Sequence, residues 1–389
     1  MTAVSTHLLG LIGPAFLILA GAGSLYALAA VLLLRRFFSR PAPSGAGFPG
    51  VTILKPLHGA EPELYENLAS FCRQDYLGPV QIILGLRDSR DPAREVVRRL
   101  MADLPGADLE LVIDPSLHGA NGKMSNLVNM ARAVRHDVLV LADSDIRVAP
   151  HYLRQLVAAL DEPGVGLATC LYRGLPEGGI WSRLAAMGIN QLFLPSVLVG
   201  LGIGRADPCF GATIALRRET LRRIGGFGAF ANHLADDHAI GEAVRRLGGK
   251  IAIPPMIVTH ICRFGGAREL LRQELRWALT LRLLDPAGFL GSAVTHPLPF
   301  ALLGLALLPG HGLGLAVLGL CLASRLALQI EAHRVLALAC PPWYLSPLRD
   351  LLSFAVFVAS HFTDAVSWRG QRFRVRRDGT LIPAKDVAS

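Results

Sequence analysis

Val138-Leu139-Val140-Leu141-Ala142 is wholly apolar and runs directly into Asp143-Ser144-Asp145. At the end of a buried strand, two carboxylates spaced i, i+2 can sit beside one hard cation and a diphosphate. Mg²⁺ and Mn²⁺ prefer oxygen ligands and keep some phosphate or water oxygens, and such a cation neutralises charge on a leaving nucleotide. A solvated acidic turn fits the same residues. Ala235-Asp236-Asp237-His238 follows a glycine-rich turn, Gly225 to Gly228. An acid there can deprotonate an acceptor hydroxyl, or can simply complement a helix N-terminus. His118-Gly119-Ala120-Asn121-Gly122-Lys123 precedes a helical stretch. Glycines, a lysine and a helix start suit an anion, although the spacing is not that of a Walker A loop, and a plain loop with a helix cap is equally consistent. Asp88 and Asp91 lie in Arg87-Asp88-Ser89-Arg90-Asp91-Pro92. An acid at a strand end can accept from uracil or ribose, whereas Asp91 before Pro92 fits an N-cap with proline at the first helical position. Gln273 and Trp277 are i, i+4 on an amphipathic stretch with Arg276 beside them. Arginine can fork onto a diphosphate; tryptophan at a membrane boundary is also an interfacial anchor.

These residues need a scaffold, and the apolar periodicity supplies one. Val51 to Leu54, Val80 to Leu86, Leu109 to Ile113 and Val138 to Ala142 read as strands. Glu61 to Gln74, Asp91 to Leu100 and Lys123 to Val134 read as the helices between them. The alternation predicts a mostly parallel sheet with helices on both faces, which binds ligands beyond the carboxyl ends of its strands.

The flanks differ in kind. Of the 389 residues 52% are hydrophobic and 18% charged, below the roughly 25% charge of a soluble domain. The net charge is +9; with long apolar runs it points to anionic lipid or a phosphorylated substrate, and no recognition module points to nucleic acid. The six cysteines lack metal-ligand spacing and suit a reducing compartment. Leu8 to Leu34 carries no charge and ends in Arg35-Arg36, which reads as a transmembrane anchor with the following chain in the cytoplasm. The resulting organisation is an anchor over 1–40, a linker over 41–50, a cytoplasmic catalytic domain over 51–286, membrane or interfacial helices over 287–368 and a basic tail over 369–389. Ala287 to Leu308, Gly312 to Ala323 and Leu351 to Val366 are the apolar candidates in the fourth part, with Pro309-Gly310 as a break. Three crossings would put the tail, with Arg369, Arg372, Arg374, Arg376 and Arg377, on the wrong side, so one candidate is expected to be interfacial or re-entrant. The expected location is the inner membrane, multi-pass.

In order, Asp88, Asp143-Ser144-Asp145, Asp237 and Gln273-x-x-Arg276-Trp277 resemble family-2-type glycosyltransferases with a GT-A fold. Leu54-Lys55-Pro56-Leu57-His58-Gly59, Gln74-Asp75-Tyr76, Asp143 to Val148 and Ser367-Trp368-Arg369 resemble ceramide glucosyltransferases. His118 to Asn121, Cys170 to Gly174, Phe210 to Arg218 and Leu234 to Asp237 look most like a bacterial hopanoid-associated branch. The resemblance implies a GT-A-type, Rossmann-like α/β fold with membrane helices at both ends. It implies an inverting transfer from a UDP-sugar to a membrane lipid hydroxyl, N-acetylglucosamine to bacteriohopanetetrol first, with glucose to ceramide as the alternative. A transporter or membrane scaffold with a degenerate transferase domain is a distant alternative, resting on the charges at Arg325, Glu331, His333 and Arg334. Lys123, from the glycine-rich helix start, is expected to contact the donor; by match, Asp88 contacts the nucleotide, Asp143 and Asp145 hold a divalent cation and diphosphate, and Asp237 is the base, leaving Asp236 to cap or brace its helix. Gln273, Arg276 and Trp277 close the donor and acceptor pocket. Departures stand out: the animal enzymes carry D-S-G where Asp145 completes the triplet, Glu-Asp where Asp236-Asp237 stands, and His-Pro where this chain has Leu194-Pro195.

Overall fold

A computed structural model describes residues 2–45, 47–61, 63–205, 207–308, 311–363, 365–368, 371–375 and 380–383; at 2–11, 311, 365–368, 371–375 and 381–383 it describes the backbone alone. The chain runs α1 (Thr2–Phe38), β1 (Val51–Pro56), α2 (Leu64–Cys72), β2 (Val80–Leu86), α3 (Ala93–Asp103), β3 (Asp108–Ile113), α4 (Gly122–Met130), β4 (Val138–Leu141), β5 (Ile146–Arg147) and α5 (Tyr152–Leu160). It continues through β6 (Val165–Thr169), β7 (Leu171–Pro176), α6 (Ile180–Gly188), a π-helical turn (Ile189–Phe193), α7 (Leu194–Gly202), β8 (Ile214–Arg217), α8 (Arg218–Arg223), α9 (Asp236–Arg246), β9 (Lys250–Ala252) and β10 (Ile257–Cys262). The last elements are α10 (Ala267–Leu284), α11 (Pro286–Gly291), α12 (Pro297–Leu307), α13 (His311–Val335), α14 (Leu345–Ser360), β11 (Ala365–Trp368), β12 (Gln371–Val375) and β13 (Leu381–Pro383).

Two compact units result. One holds 40–173, 207–261 and 373–389; the other holds 1–39, 174–206 and 262–372. The expected 51–286 domain is therefore divided, because 174–206 and 262–286 group with the apolar helices.

The first unit is built on a seven-stranded sheet of order β3-β2-β1-β4-β8-β6-β9. β3, β2, β1 and β4 are mutually parallel, whereas β8 runs antiparallel to both β4 and β6. The four expected strands form the parallel half. Their alternation shows why the runs are continuously apolar: Ile53, Leu84 and Val140 pack into a core on one face, while Leu54, Ile83 and Leu139 pack into a second core on the other. The helices follow the complementary period; α3 buries Ala93, Val97 and Leu100, one turn apart. Asp91 accepts from the Ala93 amide at 2.9 Å, so it caps α3 as expected. Short sheets of order β5-β10-β7 and β11-β12-β13 complete the strands.

The second unit is helical. Among the described residues three helices are long and apolar enough to cross a membrane, Ile12–Phe38, Ile180–Gly202 and Gly312–Val335, with the pair Pro286–Thr295 and Pro297–Leu307, bent by 66°, as a broken span or re-entrant loop. Two expectations are corrected, and a third segment is the short one among the candidates. The apolar helical stretch at 180–202 stands inside the stretch assigned to the catalytic domain, between strands β6 and β8 of one sheet. The segment expected to end at Ala323 continues to Val335. The segment expected over Leu351 to Val366 is α14, whose 16 residues rise only about 24 Å, short of a ~30 Å hydrocarbon core. The Pro309-Gly310 break and Arg369, Arg376 and Arg377 of the tail lie outside the described residues, as do the side chains of Arg372 and Arg374.

Side-chain contacts fix the helix directions. Ser24 Oγ bonds Cys321 Sγ at 3.2 Å, and Arg35 pairs with Glu331 at 2.7 Å. These contacts fall in the same order on both helices, so α1 and α13 run parallel and end at one level. Gly23 abuts Pro297 while Gly304 abuts Leu17, so α12 runs the opposite way. Arg325 is partnered by Asp350 and by the Gln191 carbonyl, and Glu331 by Arg35, so these charges tie helices together.

The sheet's second core carries a stability expectation. Leu139 is 1% exposed, and Leu139→Ala should cost about 2–5 kcal/mol. Thermal unfolding of the purified protein should show a lowered midpoint, with no change for Leu77→Ala, where the side chain is 83% exposed.

Candidate active site

The carboxyl ends of β1 and β4 meet in register, Leu54 opposite Leu141. The chain then leaves the sheet, which delivers Asp143-Ser144-Asp145 to its edge. Lys55 closes β1 and points inward. It is fully buried, its ammonium lies 4.0 Å over the Phe71 ring, and it donates to the Asp143 carbonyl. Burial pulls its pKa down to about 7, although Asp143, Asp145 and Glu61 oppose the shift. Ser144 donates to Glu61 at 2.6 Å, and the half-buried Glu61 carboxyl is raised, first by desolvation and then by Asp145. The turn that carries the acids is thus braced from beneath by the Lys55 amine and from one side by a carboxyl.

A second element comes from the start of α4. Asn121 caps it, accepting from the Lys123 and Met124 amides, and its side-chain amide donates to the His233 carbonyl at 2.9 Å and to Asp236 at 3.5 Å. This cap turns Lys123 into the site. Its Nζ stands 2.7 Å from Asp143 Oδ1 and 3.2 Å from Asp236 Oδ2. Burial alone would lower its pKa, but Asp143 and Asp236 outweigh it and the ammonium is held charged. Of the two readings of His118 to Lys123, the cap belongs to Asn121, and the lysine meets carboxylates.

The third element is the start of α9. Asp236 and Asp237 both lie in its first turn, and no side chain caps it. Asp236 therefore does not cap the helix as expected; it braces Lys123 and Asn121. Asp237 points elsewhere, accepting from its neighbour His238 N at 2.8 Å and from Gly211 N at 2.9 Å. Desolvation, then the adjacent Asp236, raises its pKa to about 6. Gly211 marks where the groups converge. A Cβ there would lie 3.3 Å from Asp143 Oδ2, 3.3 Å from Lys123 Nζ and 3.5 Å from Asp237 Oδ2. The bare glycine leaves open the point that faces two acids and an ammonium.

Asp145 turns to the other side, its Oδ2 3.2 Å from His260 Nδ1 on β10. Burial pushes its carboxyl up, but His260, Lys55 and Lys123 pull harder and the net is below the usual range. Its Oδ1 is buried without a partner. Asp143 is raised by burial, with Lys123 opposing. Two oxygen-donor carboxylates, one with an orphaned buried oxygen, fit a hard cation that completes its shell with phosphate and water. Among the described residues no group of three or more His, Cys, Asp or Glu side chains is arranged to hold a metal without such help.

Asp88 stands two residues beyond β2, exposed, its carboxylate bonding the Arg90 amide at 2.9 Å. Gln273 and Arg276 lie on α10 in the helical unit, joined at 2.9 Å, with Trp277 one residue on. Lys55, Glu61, Gly211 and His260 are site residues that motif reading did not single out. Only Lys55 left a signal, a lysine ending an otherwise apolar strand.

The profile of glycosyl transferase family 21 matches residues 15–381. A ceramide glucosyltransferase of Gibberella zeae is 34% identical over 155 residues, covering 36% of this chain and 29% of that protein. Ceramide glucosyltransferase 3 of Caenorhabditis elegans is 22% identical over 354 residues, covering 87% of this chain and 76% of that protein. The match to the first thus spans under a third of the relative's length. Among solved structures, the mannosyltransferase PcManGT from Pyrobaculum calidifontis, in complex with GDP-Man and Mn²⁺, superposes with a TM-score of 0.55 at 22% identity, covering 91% of this chain and 99% of that one. That likeness establishes the GT-A fold. Because the family match takes in the sheet, the acidic turn, α9 and the apolar helices together, the chain belongs to glycosyl transferase family 21.

Proposed function

We propose that the protein transfers a sugar from a UDP-sugar to the hydroxyl of a membrane lipid, with inversion. The convergence of Asp143, Lys123 and Asp237 on the open point before Gly211 carries this reading. Asp237 is the base: one oxygen is oriented by the Gly211 amide, and its raised pKa makes it a stronger proton acceptor than an ordinary aspartate. It takes the acceptor's proton as the acceptor oxygen bonds to the anomeric carbon and the bond to the diphosphate breaks. One base with no second carboxylate nucleophile gives a single displacement, and an α-linked donor gives a β-glycoside. A divalent cation held by Asp143 and Asp145 supplies, when bound, the charge neutralisation that a leaving diphosphate needs. Asp88, Gln273, Arg276 and Trp277 bind donor and acceptor; Lys123 serves the donor by keeping Asp143 oriented.

The relatives favour ceramide as acceptor and glucose as sugar. The hopanoid polyol with N-acetylglucosamine rests on finer text and on Leu194-Pro195 replacing the family's His-Pro; it is the second reading. Arg35 and Arg36 at the end of α1 support a cytoplasmic active site.

Purified protein given UDP-glucose or UDP-N-acetylglucosamine with ceramide or bacteriohopanetetrol should form glucosylceramide in a reaction stopped by EDTA and restored by Mn²⁺. Product only from UDP-N-acetylglucosamine and the tetrol would establish the second acceptor instead.

Asp237 must be ionised to act, so kcat/KM should rise with pH through an acid limb near 6 and level off above it. Asp237→Asn should lose about 10²–10⁴-fold in kcat. Asp236→Asn removes a neighbouring negative charge and should move the limb to lower pH. An unmoved limb would separate the two acids and remove Asp237 from the role.

A cysteine at the exposed Ser89 should resist an impermeant thiol reagent applied to intact cells and react after permeabilisation. Ready labelling of intact cells would reverse the orientation.

A further inference from the structure

Arg349, on α14, is buried in the helical unit with a side chain 4% exposed, and it pairs with Glu274 on α10, 11% exposed. The pair is built for its position. Arg349 Nη1 donates to Glu274 Oε1 at 2.6 Å and to the Leu184 carbonyl at 3.1 Å. Its Nη2 donates to Glu274 Oε2 at 2.8 Å and to Ser353 Oγ at 2.7 Å, and its Nε donates to the same hydroxyl at 2.9 Å. A guanidinium has five N–H groups, and each is used. Gly188 makes the room: a Cβ there would stand 3.2 Å from Nη1 and 3.6 Å from Glu274 Oε1.

Such a pair is a poor choice for stability alone. Buried ion pairs are often matched or bettered by apolar side chains of similar volume, and their attested use is to fix a register. The register at stake is the rotation of α10. Each helical residue turns about 100°, so with Gln273 at zero, Trp277 lies at about 40°, Arg276 at about −60° and Glu274 at about 100°. Glu274 flanks the face that the three motif residues share. Seizing both of its oxygens pins that face in rotation, and the Arg276–Gln273 bond at 2.9 Å keeps the face together.

We propose that Glu274 and Arg349 are positioning residues that set the rotation of α10 and so aim Gln273, Arg276 and Trp277 at the substrates. The inference rests on the donor- and acceptor-binding role assigned above to those three residues. Glu274 and Arg349 touch neither substrate; they act through the helix.

The test replaces the pair with an apolar one, E274M/R349M, and separately makes R349K, which keeps the charge and loses the fork. Both are made with Trp181, Trp343 and Trp368 changed to Phe, so that emission reports Trp277 alone. The double variant should keep its unfolding midpoint, shift its Trp277 emission, and lose roughly 10- to 100-fold in kcat/KM for the UDP-sugar. R349K should fall between it and the parent in both readouts. If E274M/R349M does not fold, R349K alone decides. Parental emission and parental kcat/KM in a folded variant overturn the inference and leave the pair a staple. Q273A and W277A separate this from the reading beneath it. If they turn over like the parent, the motif's substrate role fails, and shifted Trp277 emission in the pair variants still establishes what sets the helix's rotation.

Discussion

Lys123 is the charge on which the active site depends. Asp143, Asp236 and Asp237 come from two separate elements and are brought together in a partly buried site, where carboxylates repel one another. One ammonium, 2.7 Å from the first and 3.2 Å from the second, makes the arrangement tolerable and leaves Asp237 without a direct ion-pair partner among its described bonds. The same lysine is delivered by the Asn121 cap, whose amide also reaches Asp236. Helix start, cation and acids form one hydrogen-bonded assembly, so the geometry of Asp237 and Asp236 is coupled to that of Asp143.

The helical unit solves a related problem in another medium. Arg349 and Asp350 are neighbours of opposite sign on α14, and each takes its partner from a different helix: Arg349 from α10, Asp350 from α13. The Arg325 guanidinium also satisfies the Gln191 carbonyl in the π-helical turn, where a helical hydrogen bond is out of register. Polar groups are costly among apolar helices unless fully paired. Here the pairing joins helices that apolar contact alone would leave free to slide or rotate.

What the sequence made legible follows from how local each signal is. The parallel half of the sheet was readable because both faces of β1, β2 and β4 are buried, which forces continuous apolar runs at regular spacing. The acidic turn was readable because such a run ends in it, and the Asp91 cap because it needs only its neighbours. The apolar helical stretch at 180–202 was missed because Gln191, Asn190 and a proline interrupt it, and because it lies between stretches that build the sheet. His260 and Gly211 were illegible for a different reason. Their roles arise from antiparallel returns, β10 beside β5 and the chain entering β8 beside β4, that bring residues some hundred positions apart into contact. Asp236 was misassigned because a helix-start acid looks the same whether it caps its own helix or serves a lysine elsewhere.

The parallel pairing of α1 and α13 has a consequence for synthesis. Arg35 and Glu331 are 296 residues apart in the chain. At about 5–20 residues per second, a ribosome needs roughly 15–60 s to travel that distance. Through this interval α1 is already made, while the surface that covers Ser24 and the partner of Arg35 do not yet exist. Until then α1 carries Ser24 uncovered and Arg35 without its carboxylate. The assembly that completes the helical unit is among the last events of translation, well after the sheet strands have left the ribosome.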